Sequence, residues 1–441
     1  MENTTQQHLP RSRRSLSRGV ATGAALLLTA LTTAPATAAA PPAPARPAGT
    51  TPAATAQGTT AQGTAARTAA RRGSLLSLTP LGRQHRSEIV DRARQTGLDA
   101  RTARHDVADY RLTYRTITPD GRPTTASGLL ALPLGTGRHR LPAVVHAHGT
   151  LAYRGYAPSV ADGLDRTVTT LYASAGRAAV APDYLGLGTG PGRHPYMDAR
   201  SAGSASLDML RAARTATSRL GATLDRTVSV TGFSQGGQVA MELARELGRG
   251  ADPRFRPGVV APVGGPFDLD GSELPGMFDG RISPRSAVFY VSFFLTAQNR
   301  LHPLYRSPRE VFRAPYADRV EALFDGEHRA EDIAGKLPGR LEDLLTDAWY
   351  QKLRHPSGAL LTAVRANDRT CDWTPARRVR ITLYTAGGDH DVAMANSVAC
   401  AAELRSHGAR PTVVDQGADA DHFTSFLRSQ PSLARDLPRA R

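Results

Sequence analysis

The sequence predicts an α/β architecture, with a mostly parallel central sheet flanked by helices and a large helical cap inserted late in the chain. Three observations predict it. Short apolar runs alternate with stretches of helical periodicity between residues 107 and 263. Several of those runs, such as Leu141-Pro-Ala-Val-Val and Ala178-Ala-Val-Ala, are continuously apolar, as suits strands covered on both faces. The alternation then stops between about Leu269 and Ala376, a gap too long for a crossover.

Element by element, Val107 to Ile117 and Thr124 to Leu134 read as early strands, the second closing on Pro133. Leu141 to His148 and Ala178 to Pro182 follow, each ending in residues suited to a functional loop, Gly149 and Asp183. Ala202 to Leu220 has a helical stripe of Leu207, Met209, Leu210 and Ala213. Val228 to Phe233 is a strand leading into a helix through Val239, Leu243 and Leu247, and Gly258 to Val263 is another strand. After the cap come a strand at Val379–Thr385, a helix from about Ala393 to Leu404, a strand at Pro411–Val414, and a closing helix from Phe423. Within the cap, Phe289-Tyr290-Val291 and Phe293-Phe294-Leu295 suit either the wall of an acyl pocket or the cap's own core.

The chain has 441 residues, 40% of them hydrophobic, enough to bury a sizeable core. Its net charge of +16 suggests nucleic acid at first sight. Residues 1–38 hold a net +3 of this and residues 39–72 a net +4, leaving +9 on the other 369. No long block of like charge marks that remainder, aromatics are 6%, and Lys336 and Lys352 are the only lysines. The Arg excess reads as compositional bias, and no nucleic-acid partner is expected.

Residues 1–38 read as a cleavable leader. Arg11, Arg13, Arg14 and Arg18 precede an apolar run from Gly19 to Leu31, and Ala36-Thr37-Ala38 offers a cleavage site. The run is shorter than the roughly 20 residues a membrane span needs, so no transmembrane segment is expected in the mature protein. Ser12-Arg13-Arg14-Ser15-Leu16 resembles a twin-arginine export signal, with Leu where Phe is usual. Residues 39–74 are Ala-, Pro- and Thr-rich, with few groups worth burying, and should be disordered. The catalytic domain is expected over 75–441, with the cap at about 269–376. In an exported protein Cys371 and Cys400 are free to form a disulfide, the alternative being two buried thiols. Two cysteines without a histidine-rich spacing make no metal site.

The sharpest signal is Gly232-Phe233-Ser234-Gln235-Gly236-Gly237, which follows a strand and opens a helix. A serine on such a tight strand-to-helix turn presents its hydroxyl above the sheet as a nucleophile. Bulky side chains at 232 or 236 would crowd the turn. The backbone N–H of Gln235 then faces a developing oxyanion at the helix N-terminus. A second donor is sought in His146-Ala147-His148-Gly149-Thr150, where the Thr150 N–H is the candidate and Gly149 permits close approach. His148 is expected to brace this loop and His146 to be packed.

The segments His148-Gly149-Thr150, Ala157-Pro158-Ser159, Ala181-Pro182-Asp183-Tyr184-Leu185-Gly186-Leu187-Gly188, His194-Pro195-Tyr196 and Asp208-Met209-Leu210-Arg211-Ala212 precede that turn in this order. Together they resemble the secreted bacterial relatives of the Candida lipase A-like secretory lipase family, within the α/β-hydrolases, over roughly residues 105–430. The resemblance implies a capped hydrolase acting on lipids or simpler esters. It also implies that Asp183 and Tyr184 support the site rather than react.

In this fold the triad runs Ser, acid, His. Asp389 and Asp391 both lie on the loop after the strand Val379–Thr385. Related acid loops read Asp, two residues, Val-Pro. Asp389-His390-Asp391-Val392 fits, with Ala393 replacing Pro, so Asp389 is the acid and Asp391 the runner-up, suited to capping the next helix. His422, before the closing helix, is the base. His390 is its rival, but lies too close in sequence to the acid. This machinery requires no metal and no organic cofactor.

The expected activity is hydrolysis of carboxylic esters, as a lipase or carboxylesterase on small-molecule or lipid esters, with transient contact at a lipid interface. An exported peptidase or aminopeptidase would use the same triad, and would need an anchor such as Glu331-Asp332 or Glu342-Asp343 turned into the pocket; a solvated helix face is the plainer reading of both pairs. A catalytically inactive binding module is the third reading. Acyl-chain preference and oligomeric state are not written in the sequence.

Overall fold

The computed structural model describes residues 72–438. The expected leader and most of the segment after it, residues 1–71, lie outside the described residues. Arg72 and Gly73, counted above in the disordered stretch, are bound to the fold. Arg72 donates to Asp208 at 3.0 Å and to Ser204 at 2.6 Å, and the Gly73 N–H reaches the Arg115 carbonyl.

Nine strands form one sheet: β1 (Leu75–Gln84), β2 (Val107–Ile117), β3 (Pro123–Pro133), β4 (Arg140–Ala147), β5 (Ala178–Pro182), β6 (Thr223–Phe233), β7 (Arg256–Val263), β8 (Arg380–Thr385) and β9 (Thr412–Asp415). Their spatial order is β1-β2-β3-β5-β4-β6-β7-β8-β9. The first three pair antiparallel with their neighbours, and β5 through β9 run parallel. Strand β6 begins five residues before the expected Val228. Its first residues pair with Arg140 and Leu141, and an irregularity separates them from the regular register at Ala143–Val228.

Successive residues of the central strands feed opposite faces of the sheet. Val145, Val180 and Val230 pack with helices α3 (Ala199–Arg219) and α4 (Gln235–Gly248). Val144, Ala179 and Ala261 pack with α1 (Arg86–Gln95), α2 (Leu164–Ser174) and the closing helix α10 (His422–Asp436). Both faces are therefore dry, which is why these strands read as unbroken apolar runs. Each fully buried Val or Leu contributes roughly 1.5–3 kcal/mol.

Between β7 and β8 the chain is helical. A π-helical turn, Leu269–Glu273, leads into α5 (Leu274–Asp279) and α6 (Pro284–Asn299). Several short turns follow, then α7 (Asp347–Arg354) and α8 (Gly358–Asn367). This insertion has its own core, in which Phe293 stacks on Phe324 with ring centres 4.6 Å apart. Helix α9 (Ala395–Ser406) follows β8 and is tied back by a disulfide between Cys371 and Cys400. Among the described residues no helix is long and apolar enough to cross a membrane.

Candidate active site

Ser234 sits between β6 and α4 with φ 57° and ψ −125°, a conformation side-chain-bearing residues rarely adopt. The turn is held by the Ser234 N–H on the Val263 carbonyl at 2.9 Å and the Gly237 N–H on the Ser234 carbonyl at 2.7 Å. The flanking glycines are required by space. A Cβ on Gly232 would stand 2.1 Å from the Gly236 carbonyl oxygen, and one on Gly236 would stand 2.0 Å from that of Ala147.

His422 opens α10, and its ring packs on Phe233 with centres 4.5 Å apart. Its Nδ1–H donates to Asp389 Oδ2 at 2.6 Å, while its buried Nε2 has no hydrogen-bond partner among the described residues. Ser234, His422 and Asp389 are 6%, 8% and 4% exposed. Burial disfavours the imidazolium, but the charge and hydrogen bond of Asp389, joined by the charges of Asp391 and Glu273, raise the His422 pKa above the ordinary histidine value. The second oxygen of Asp389 accepts the N–H groups of Asp391 and Val392, both at 2.9 Å, which fixes the carboxylate in place.

Asp391 points elsewhere: its carboxylate takes the hydroxyl of Ser286 on α6. It does not cap the next helix either, because α9 starts only at Ala395. His390 donates its Nδ1–H to the Arg281 carbonyl at 2.9 Å and is exposed.

The loop after β4 lies against the Ser234 turn. A Cβ on Gly149 would come within 3.4 Å of the Phe233 carbonyl oxygen and 3.6 Å of the Ser234 Cβ. The Thr150 hydroxyl is 3.2 Å from the Tyr196 hydroxyl. The His148 ring lies between the carbonyl oxygens of Gly149, at 2.7 Å, and Asp183, at 3.2 Å, and against Tyr184. The Tyr184 hydroxyl donates to the His148 carbonyl at 3.0 Å. Asp183 is buried, accepting from the Ser127 hydroxyl and from both the hydroxyl and the N–H of Ser159. Burial pushes its pKa up despite these bonds. His146 reaches Asp165 at 2.9 Å, under the sheet's other face.

Two contacts were not anticipated. His194, quoted above only as part of a motif, accepts the Gln235 side-chain N–H on Nε2 at 3.1 Å and donates Nδ1–H to the Leu185 carbonyl. Burial drives its pKa down to about 3, so it stays neutral and holds the first residue of α4. The other is Glu273, at the root of the cap. Its Oε2 accepts Asn396 Nδ2 at 2.6 Å and the Ala393 N–H at 3.2 Å. Burial pushes its pKa up to about 8; the two donors oppose this and the Asp389 charge adds to it.

These elements line a pocket of about 50 Å³. Its lining includes Ser234, Gln235 and Thr150 together with Leu274, Met277, Phe294, Val364 and Val392. The aromatic run of α6 serves both roles: Tyr290, Val291 and Phe294 line the pocket while also packing in or against the cap core, and Phe289 and Phe293 belong to that core alone. Glu331, Asp332, Glu342 and Asp343 are exposed and line none of it. Among the described residues one group has donors close enough together for a metal ion, Asp372, Glu403 and His407, within 4.8 Å of one another. Those side chains are partly exposed and pair with each other beside the disulfide.

The chain superposes on a putative hydrolase from Legionella pneumophila at TM-score 0.73, with 24% identity over 82% of this chain and 98% of that one. The rice cell wall degrading esterase LipA from Xanthomonas oryzae gives TM-score 0.72 and 26% identity over 82% and 97% of the two chains. Candida antarctica lipase A in its closed state gives TM-score 0.59 at 15% identity, over 80% and 78%. No curated protein sequence matches. The model of the alpha/beta hydrolase family matches residues 144–434, from β4 to the closing helix, and the chain belongs to that family.

Proposed function

We propose that the protein hydrolyses carboxylic esters through an acyl-enzyme on Ser234. The observation that carries this is the site's composition: a mostly apolar pocket lined by Ser234, Gln235 and Thr150, and a buried His422 bonded to Asp389 and packed on Phe233, the residue before Ser234. The acyl chain fills the chamber and sets its carbonyl against Ser234. His422 Nε2 takes the hydroxyl proton as Ser234 Oγ bonds to the carbonyl carbon. The carbonyl oxygen becomes an oxyanion, held by the N–H groups of Gln235 and Thr150. Asp389 keeps the Nδ1–H tautomer and stabilises the imidazolium. As the tetrahedral centre collapses, the bond to the alkoxy oxygen breaks and His422 returns the proton to the leaving alcohol. Water, deprotonated by His422, then attacks the acyl carbon; as the bond to Ser234 Oγ breaks, His422 returns the proton to Oγ, releasing the acid and free Ser234.

The likeness to Xanthomonas oryzae LipA, described as an esterase, points the same way. The peptidase reading loses its anchor, since neither acidic pair in the cap lines the pocket. Export rests on the sequence of residues 1–38, and the same reading takes 39–74, apart from Arg72 and Gly73, as a disordered Ala-, Pro- and Thr-rich segment, 75–441 as the catalytic domain and about 269–376 as its cap. The test is hydrolysis of p-nitrophenyl esters of increasing chain length by protein lacking residues 1–38, beside Ser234→Ala. Hydrolysis that vanishes in the variant supports the reading. Folded protein inactive on every ester overturns it.

A further inference from the structure

Glu273 is a polar anomaly in an apolar wall. It is 3% exposed, yet it lines the pocket among Leu269, Leu274, Val291 and Val392. Both of its donors, Asn396 Nδ2 and the Ala393 N–H, bind the same oxygen, Oε2. Asn396 is itself fixed, its Oδ1 accepting the Asp268 N–H at 2.9 Å and its Nδ2 also reaching the Ala393 carbonyl. The carboxyl is thus clamped through one oxygen, and Oε1 has no hydrogen-bond partner among the described residues. A buried polar group of this kind costs free energy whenever an alkyl chain lies against it.

From this geometry we propose that Glu273 Oε1 is a substrate-binding group that hydrogen-bonds a hydroxyl on the acyl chain, so that hydroxyacyl esters are preferred over plain ones of equal length. The proposal rests on the ester-hydrolase reading of the same pocket. A hydroxyl suits the site because it both donates and accepts. The apolar wall and the Asp389 charge both favour the protonated carboxyl, and a neutral acid offers no counter-charge to an ammonium group. A site built to bond a hydroxyl penalises the analogue lacking it, because its own polar group is then buried unpaired. For one such bond the preference should be on the order of ten- to a hundredfold in kcat/KM.

The test compares p-nitrophenyl octanoate with its hydroxyoctanoates, the hydroxyl being placed near the carbonyl, in mid-chain or at the end. An aminooctanoate serves as the cationic control. The readout is the ratio of kcat/KM, hydroxylated over plain, for wild type, Glu273→Gln and Glu273→Leu. Wild type should favour one hydroxyl position by about tenfold or more. Glu273→Gln, whose amide still donates and accepts, should keep a preference at that position. Glu273→Leu should bring the ratio to about one, whatever its rate on the plain ester. A wild-type ratio near one at every position overturns the proposal, and so does an unchanged ratio in Glu273→Leu. Preference for the aminooctanoate also overturns it, in favour of a cation site. Should Glu273→Leu fail to fold, the wild-type and Glu273→Gln ratios still decide. Ester hydrolysis that depends on Ser234 but shows no hydroxyl preference defeats this proposal alone, whereas the absence of Ser234-dependent hydrolysis defeats the underlying reading as well.

Discussion

Replacing Asp389 by Asn keeps the shape of the acid loop but removes the charge facing His422. The 2.6 Å contact between Nδ1 and Oδ2 places the centres of the imidazolium and the carboxylate roughly 4 Å apart. At an effective dielectric constant near 20, that attraction is worth about 4 kcal/mol to the charged imidazole formed during catalysis. At about 1.4 kcal/mol per decade, kcat should fall on the order of a thousandfold. The Asn amide also turns a donor toward Nδ1 unless it rotates, favouring the wrong tautomer and adding to the loss. Asp391→Asn is the control. Its carboxylate is spent on Ser286, so kcat should stay within about tenfold of wild type. Initial rates on p-nitrophenyl butyrate would measure both, with melting curves to confirm folding. A large loss in Asp391→Asn with near-normal rates in Asp389→Asn would refute the assignment of the acid.

The raised pKa of His422 places the acid limb of kcat/KM above the ordinary histidine value, because activity needs the neutral ring. A limb at or below about 6.5 would contradict the influence of Asp389. The disulfide closes a separation of 29 residues, so losing it in Cys371→Ser/Cys400→Ser should cost roughly 3–4 kcal/mol; urea unfolding with unchanged stability would argue against it. Phe294→Trp adds volume to the pocket wall and should depress rates on long acyl chains more than on acetate, a bias absent if the chain does not occupy that chamber.

Much of this was legible because the parallel strands are buried on both faces and therefore appear as unbroken apolar runs, as at Val144-Val145 and Ala179-Val180. The tight turn at Ser234 was legible because steric necessity writes glycine at 232 and 236. Strand β1 was missed because it is an edge strand whose mostly exposed residues give no alternation, and its pairing slips at Pro80/Gly82. Helix α1 buries only Ile89 and Ala93, too few to mark a stripe. Glu273 left no local trace: its partner Ala393 is 120 residues away, so only the return of the chain to the acid loop gives the side chain its meaning. The bond from Gln235 to His194 was hidden the same way, across 41 residues.

The most direct test of the central claim is labelling by a fluorophosphonate, which reacts with an activated serine, followed by mass spectrometry of the digested protein. The account predicts one adduct per chain, on the peptide carrying Ser234, absent from Ser234→Ala and much slower to form in His422→Ala. Folded protein that takes up no label, or takes it up on another residue with Ser234 unmodified, would contradict it.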